Sequence, residues 1–260
     1  MSPRPAHTAV LIACLLAAVV TAADGAIVNV PDDQPTIQLG ITAASPGDTV
    51  LIAAGTYQEL IDFHGKAVVV GSWYLTTGDP AYVDSTVLQA TEVMFAPLVT
   101  MDTGEDSLSV LAGLTVTDGD ALNGGAVYCR DSAPRIVDCV FKSNSAQNFG
   151  GAIYGSQADP IVEGCRFEDN DAGFSGGGVC VHYGSPRIVS CTFTGNVVGT
   201  SGGAIFAESG TPLICDNVID GNTAYSTYAG GIMSRNNVPV IARNVISNNL
   251  TNGLGGGMFY

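Results

Sequence analysis

Apolar residues in the second half of this chain come in short bursts, separated by Asn, Asp, Ser or a glycine pair, and the bursts recur. PRIVDCVFKSN is followed by PIVEGCRFEDN, PRIVSCTFTGN, PLICDNVIDGN and PVIARNVISNN, opening at Pro134, Pro160, Pro186, Pro212 and Pro239 with spacings of 26, 26, 26 and 27. A second phrase keeps the same beat: GGAIY at Gly150, GGGVC at Gly176, GGAIF at Gly202, GGIM at Gly230 and GGMF at Gly256. A fixed period of this length marks a repeat architecture. Leucine is scarce, and β-branched residues, Cys and Phe fill the bursts, so each unit reads as two or three short strands joined by tight bends. No window in the repeats has the sustained periodicity of a helix. One such unit cannot bury its own apolar side chains; stacked coil upon coil, the units form parallel sheets around a shared core.

The repeats align in columns. Ile136, Val162, Ile188, Ile214 and Ile241 superpose, as do Phe141, Phe167, Phe193, Ile219 and Ile246. Between them stand Cys139, Cys165 and Cys191, then Asn217 and Asn244. A further column is Asn144, Asn170, Asn196, Asn222 and Asn249. Stacked Asn side chains can hydrogen-bond along a ladder at the strand spacing of roughly 4.8 Å and hold the bend where a strand ends. Lys142, Glu168, Thr194, Asp220 and Ser247 occupy one variable column, which is expected to face solvent.

Before the repeats the text is different. Residues 1–23 read as a signal peptide, with Arg4 near the front, an apolar run from Thr8 to Val20 and small residues ending at Ala23. The run is too short to span a membrane as a helix. Leu11-Ile12-Ala13-Cys14 has the form of a lipobox, but Cys14 sits inside the apolar run, which favours ordinary export. From Ile27 one helical phrase stands out: Thr36, Ile37, Gly40, Ile41 and Ala44 recur at three and four, with Pro35 where the first turn should start and Pro46-Gly47-Asp48 closing it. A short amphipathic helix there would cover the first layer of a solenoid. Trp73 to Pro97 fits the period badly and reads as an enlarged coil or loop, with Trp73 either in a surface patch or in the core. LTVTDG at Leu114 and GGAVYC at Gly124 form a degenerate sixth unit. Tyr260 falls in mid-coil, with three readings open: truncation, an end masked by end-to-end association, or a tolerated frayed coil.

These residues carry a resemblance. VPDDQPTIQLGITAASPGDTVLIAAGTY resembles the start of bacterial right-handed parallel β-helix repeat proteins of the pectin-lyase-like superfamily. FKSN, FEDN and FTGN, alternating with GGAIY, GGGVC and GGAIF, are similar to the repeats of polymorphic outer-membrane proteins. The resemblance implies an all-β, right-handed parallel β-helix solenoid over 27–260. Its parts would be an N-terminal cap at 27–48, irregular first coils at 49–106 and regular coils at 107–260. That superfamily contains pectate lyases and polygalacturonases beside adhesin-like surface proteins, so the fold alone does not choose a function.

Composition narrows the choice. The chain has 260 residues, 46% apolar, with mean hydropathy +0.30 and net charge −15. Such a charge repels nucleic acid, anionic lipid and polygalacturonate. A lyase of the resembling kind needs carboxylates clustered about Ca²⁺ and a basic residue to abstract the proton. The column Asp138, Gly164, Ser190, Asp216, Arg243 gives no cluster, Lys142 beside Glu168 reads as a solvated ladder pair, and Arg135 and Arg187 are two coils apart. No Asp-Asp occurs after Asp33, and the glycine-rich calcium repeat is missing. Asp118, Asp120, Asp169 and Asp171 are the best remaining acids; His64 and His182 have no ligand companion at useful spacing.

Six cysteines follow the leader: Cys129, Cys139, Cys165, Cys180, Cys191 and Cys215. Inward-stacked thiols behave as small hydrophobes, whereas an oxidising compartment permits disulfides between coils, and metal binding is a third reading. The ladders Cys139–Cys165–Cys191, Phe141–Phe167–Phe193 and Asn144–Asn170–Asn196–Asn222–Asn249 are therefore structural residues, with no catalytic, cofactor-binding or metal-ligating set assigned. The expectation is a secreted or bacterial cell-envelope scaffold, noncatalytic and adhesin-like, contacting a glycan or a host or neighbouring-cell surface, with no nucleic-acid partner, no cofactor and no transmembrane helix. The alternative is a polysaccharide-active enzyme whose catalytic residues are degenerate or lie outside this chain.

Overall fold

The computed structural model describes residues 25–90, 95–226 and 228–260; the leader read at 1–23 lies outside them. The described chain winds into a parallel β-solenoid. The coil opening at Pro134 gives one strand to each of four sheets: Arg135–Val137, Val140–Lys142, Ser145–Phe149 and Ile153–Ser156. The first sheet has nine strands, from Ile27–Val30 to Val240–Ala242, and the second eight, from Gly55–Tyr57 to Val245–Ser247. The third has six, from Asp120–Asn123 to Leu250–Thr251, and the fourth eight, from Ile61–Asp62 to Met258–Phe259. Four strands per coil exceed the two or three read from sequence. The third is only two residues long in most coils, as at Asp171–Ala172, too short for an apolar burst to announce it.

Register explains the columns. Phe141 pairs with Phe167 and Phe167 with Phe193; Ile136 pairs with Val162 and Val162 with Ile188. The three Phe rings are fully buried and stacked, with centroids 5.0 Å and 4.5 Å apart. They belong to one continuous core running from Val30 to Ile232. Burying each such ring contributes roughly 1.5–3 kcal/mol. The Asn column is buried from Asn144 to Asn222 and hydrogen-bonded from coil to coil. Asn170 Nδ2 donates to Asn196 Oδ1 at 2.8 Å and to the Phe141 carbonyl at 3.0 Å, while its own Oδ1 accepts from the backbone and side-chain amides of Asn144. The same pattern runs on through Asn222 to Asn249.

Each regular coil turns at four left-handed residues. Asp138, Ser143, Gly150 and Gln157 have φ of 50°, 54°, 65° and 51°. At the third corner a Cβ on Gly150 would lie 2.2 Å from the Ile153 carbonyl oxygen, and one on Gly151 would lie 2.3 Å from that of Gly177. The first glycine of the pair therefore makes the bend and the second admits the next coil. One alignment changes. Val198 pairs with Ala224 but Ser201 bridges to Tyr228, so the extra residue of the 27-residue coil falls between Ala224 and Tyr228. Gly203 then matches Gly230, and Ala229 rather than Gly230 takes the left-handed corner, at φ 50°.

The N-terminal helix spans Ile37–Ala43 and buries Ile37, Gly40 and Ile41 against the first coils. It starts two positions after Pro35, the expected first residue: Thr36 is its N-cap, accepting from Leu39 N at 3.1 Å, and Pro35 precedes the cap. Both ends are tied to the first coil. Glu59 accepts from the Ile37 and Gln38 amides at 2.9 Å each, and Lys66 Nζ donates to the carbonyls of Ile41, Thr42 and Ala44 at 2.7–2.9 Å. These contacts satisfy groups that a helix leaves open at its termini.

The stretch from Trp73 holds two short helices, Tyr74–Thr77 and Ala81–Ser85, before the strand Thr86–Gln89; residues 91–94 are outside the description. Trp73 is 41% exposed and packs on Tyr82 at 6.0 Å, which makes it a surface residue. Tyr74 crosses Gly113 and donates its hydroxyl to Asp138 at 3.1 Å, and Asp84 holds Arg166 at 2.7 Å. The excursion thus folds back over the outside of later coils.

Phe167→Ala is expected to cost about 3–5 kcal/mol, and Asn170→Ala about 1–3 kcal/mol, in denaturant melts. Glu168→Ala, on the outward face between them, should stay within about 0.5 kcal/mol; a cost equal to that of Phe167→Ala would overturn the inward and outward assignment. Lys66→Met, which strands three carbonyls at the cap, should cost about 1–3 kcal/mol in the same melts.

Candidate functional site

Cys139, Cys165 and Cys191 are buried as free thiols, as are Cys129 and Cys180, and Cys215 is buried as well. Cys165 Sγ donates to the carbonyls of Glu163 at 3.3 Å and Ile136 at 3.5 Å, and Cys191 Sγ to those of Val189 and Val162 at the same distances. Burial, and then hydrogen bonding with Cys139 and Cys191, pushes the Cys165 thiol well up; burial does the same at Cys129 and Cys180. Thiols held in the protonated form are poor nucleophiles and poor metal ligands.

The acids singled out from sequence do not converge. Asp120 and Asp171 both pair with Ser145, from opposite sides, so they stand two rungs apart. Asp118 and Asp169 both lie in the second left-handed corner, again two coils apart, and Asp118 accepts from Gln89 at 2.8 Å. Arg135 is held by Glu163 at 2.7 Å, and Glu168 lies 3.8 Å from Arg166, a neighbour on its own strand. His64 is exposed beside Asp62 at 3.2 Å. Among the described residues no three His, Cys, Asp or Glu side chains are placed to hold a metal ion.

The outer side of the fourth sheet is where unlike chemistries meet. Strand alternation points Ile153 and Gly155 inward and Tyr154 and Ser156 outward. One outward column therefore runs Tyr128, Tyr154, Cys180, Phe206, Met233, Phe259, and the next runs Arg130, Ser156, His182, Glu208, Arg235. Beside them, at the junction with the third sheet, Phe149, Ser175, Ser201 and Tyr228 bridge in succession. Two rungs of serine between two aromatic rungs leave a notch of about 380 Å³. Phe206 and Arg235 line it on the fourth-sheet side, and Phe174 and Thr200 on the other.

His182 lies beside this notch with most of its ring covered. Its Nδ1 is 3.3 Å from the Tyr154 hydroxyl, and its Nε2 is 3.7 Å from both Cys180 Sγ and Glu208 Oε2. Phe149 and Phe206 meet the ring edge-on at 4.8 Å and 5.4 Å. Desolvation holds the imidazole below its ordinary pKa of 6.5; Glu208 pulls it upward by less, and Arg235 adds to the lowering. Arg235 pairs with Glu208 at 3.0 Å and lies over the Phe206 ring at 5.3 Å. Sequence alone gives His182 no companions because Tyr154 and Glu208 sit on neighbouring coils, 28 and 26 residues away. The signal available was alternation: in GGAIY and GGAIF the Ile points in, so the aromatic after it must point out.

Residues 104–259 match the family described as the right handed beta helix region. No curated protein and no solved structure matches the chain.

The pH dependence at His182 has a definite sign. The unfolded chain binds the His182 proton more tightly than the folded one, so its contribution to stability is complete above about pH 6.5 and is lost as pH falls from there toward the lowered folded value. Thermal melts from pH 8 to pH 5 should show a fall in stability that His182→Gln makes shallower; equal slopes in the two proteins would contradict this.

Proposed function

The chain belongs to the right-handed β-helix family, and from that premise we propose that it is an exported, noncatalytic binding scaffold. Its fold repeats inward and varies outward, so rigid coils hold surface side chains at fixed spacing. The observation that carries the reading is the aromatic notch beside the fourth sheet, a concave site with converging polar groups on an otherwise ladder-built surface. Export rests on the leader at 1–23, and with it a secreted or bacterial cell-envelope location. The likeness to pectin-lyase-like proteins and to polymorphic outer-membrane repeats supports an adhesin-like role toward a glycan or cell surface. Among the described residues no helix is long and apolar enough to cross a membrane. The net charge of −15 disfavours nucleic acid and other polyanions as partners.

One observation favours a polysaccharide-active enzyme as the second reading. Burial raises the pKa of Asp138, with Glu163 adding to the effect and the Tyr74 hydrogen bond opposing it. A carboxyl whose pKa is raised by burial, close to an Arg135-paired Glu163, is the kind of arrangement general acid catalysis uses. Incubation of the purified protein with polygalacturonate, alginate and other acidic polysaccharides, with and without Ca²⁺, is expected to release no new chain ends. Cleavage that Asp138→Asn abolishes would overturn the noncatalytic reading in favour of the second.

A further inference from the structure

We infer that the notch takes a short, neutral saccharide, bound along the solenoid axis between Phe149 and Tyr228. The inference rests on reading the chain as a binding scaffold, and adds the class of ligand and its position. Phe149 and Tyr228 stand three rungs apart, about 14 Å at the usual strand spacing. Ser175 and Ser201 fill the rungs between, and their hydroxyls have no protein partner among the described residues. Phe174, 50% exposed, stands as a wall on one side. Rings at the ends and flank, with free hydroxyls on the floor, suit a ligand that has apolar C–H faces and hydroxyl edges together, which is the chemistry of a sugar ring. At about 380 Å³ the notch lies near the low end of ligand sites, which run from about 300 to 1,000 Å³. The aromatic residues at its two ends favour a short saccharide over the middle of a long polymer.

Charge selects the class. Arg235 is the cation lining the notch, and Glu208 balances it at 3.0 Å, so the site has little surplus positive charge for a uronate or a phosphate. The charge of −15 opposes such anions further. A quaternary ammonium would have to share the Phe206 face with the guanidinium already there at 5.3 Å. A neutral ligand meets neither obstacle.

The test is an array of immobilised neutral glycans, followed by calorimetry on the soluble oligosaccharides that score, with trigalacturonate and choline as contrasting probes. Saturable binding of neutral saccharides is expected. Phe174→Ala, at an exposed position, should weaken it at least tenfold with an unchanged melting temperature, and Tyr228→Ala, which also removes a ring packed on Phe259, should weaken it at least as much. Glu168→Ala, on a different outward column, should leave it unaltered. Silence across the neutral array, or binding of trigalacturonate or choline alone, would overturn the ligand class. Neutral-glycan binding indifferent to Phe174→Ala and Tyr228→Ala would overturn the site while leaving the scaffold reading intact. Cleavage of a bound saccharide would sink the noncatalytic reading and leave the site standing.

Discussion

A buried amide can be tolerated only if its donors and acceptor are all met, and in this solenoid they are met by the same residue on the next coil. Asn170, Asn196 and Asn222, inside the main ladder, each accept a backbone N–H and a side-chain amide from the coil before and donate to the coil after. The second amide hydrogen of each reaches the carbonyl of the Phe column one rung back. That exchange closes only when residues stand in register at the strand spacing, so a displaced coil would leave amides on both sides unpaired. The period near 26 residues, the stacked Phe rings and the left-handed corners all serve this one condition.

The Cys column shows the same condition met with different atoms. Cys165 and Cys191 donate to the carbonyls of Ile136 and Val162; where the column changes to asparagine, Asn217 and Asn244 donate to those of Ile188 and Ile214. Both residue types serve one row of carbonyls, with the thiol as the weaker and less polar donor. Cysteine here is best understood as a ladder residue, compact enough for the corner and able to cover an acceptor. Parallel strands set the sulfurs side by side along the axis, and the backbone carbonyls draw their hydrogens.

The parts legible in the sequence are those that repeat inward: Phe141 to Phe193, Asn144 to Asn249, the glycine pairs, and the cap whose apolar positions recur at three and four. Three features escaped for separate physical reasons. The third sheet is too short to show an apolar burst. The two helices after Trp73 have only one buried position between them, Val83, so no helical stripe marks them. The notch escaped because in its column, Phe149, Ser175, Ser201, Tyr228, only the two serines repeat and the rings at the ends do not. A strict period would have put Thr227 opposite Ser201; the one-residue insertion places Tyr228 there instead. The irregularity that spoils the alignment supplies the ring that closes one end of the site.

That coincidence follows from how a solenoid divides its energy. Inward residues are held by neighbours on both adjacent coils, so a change in one propagates through its interfaces. Outward residues have solvent on one side, and the corner between the third and fourth sheets can absorb an added residue without moving the ladders: Asn222 and Asn249 remain bonded across the 27-residue coil as Asn196 and Asn222 are across a 26-residue one. The line from His182 through Glu208 to Arg235 occupies three successive rungs and fixes the guanidinium over Phe206. Ladder regularity inside thus supplies the spacing, and one irregular corner outside supplies the chemistry, which is why the site lies where the repeat is least faithful to itself.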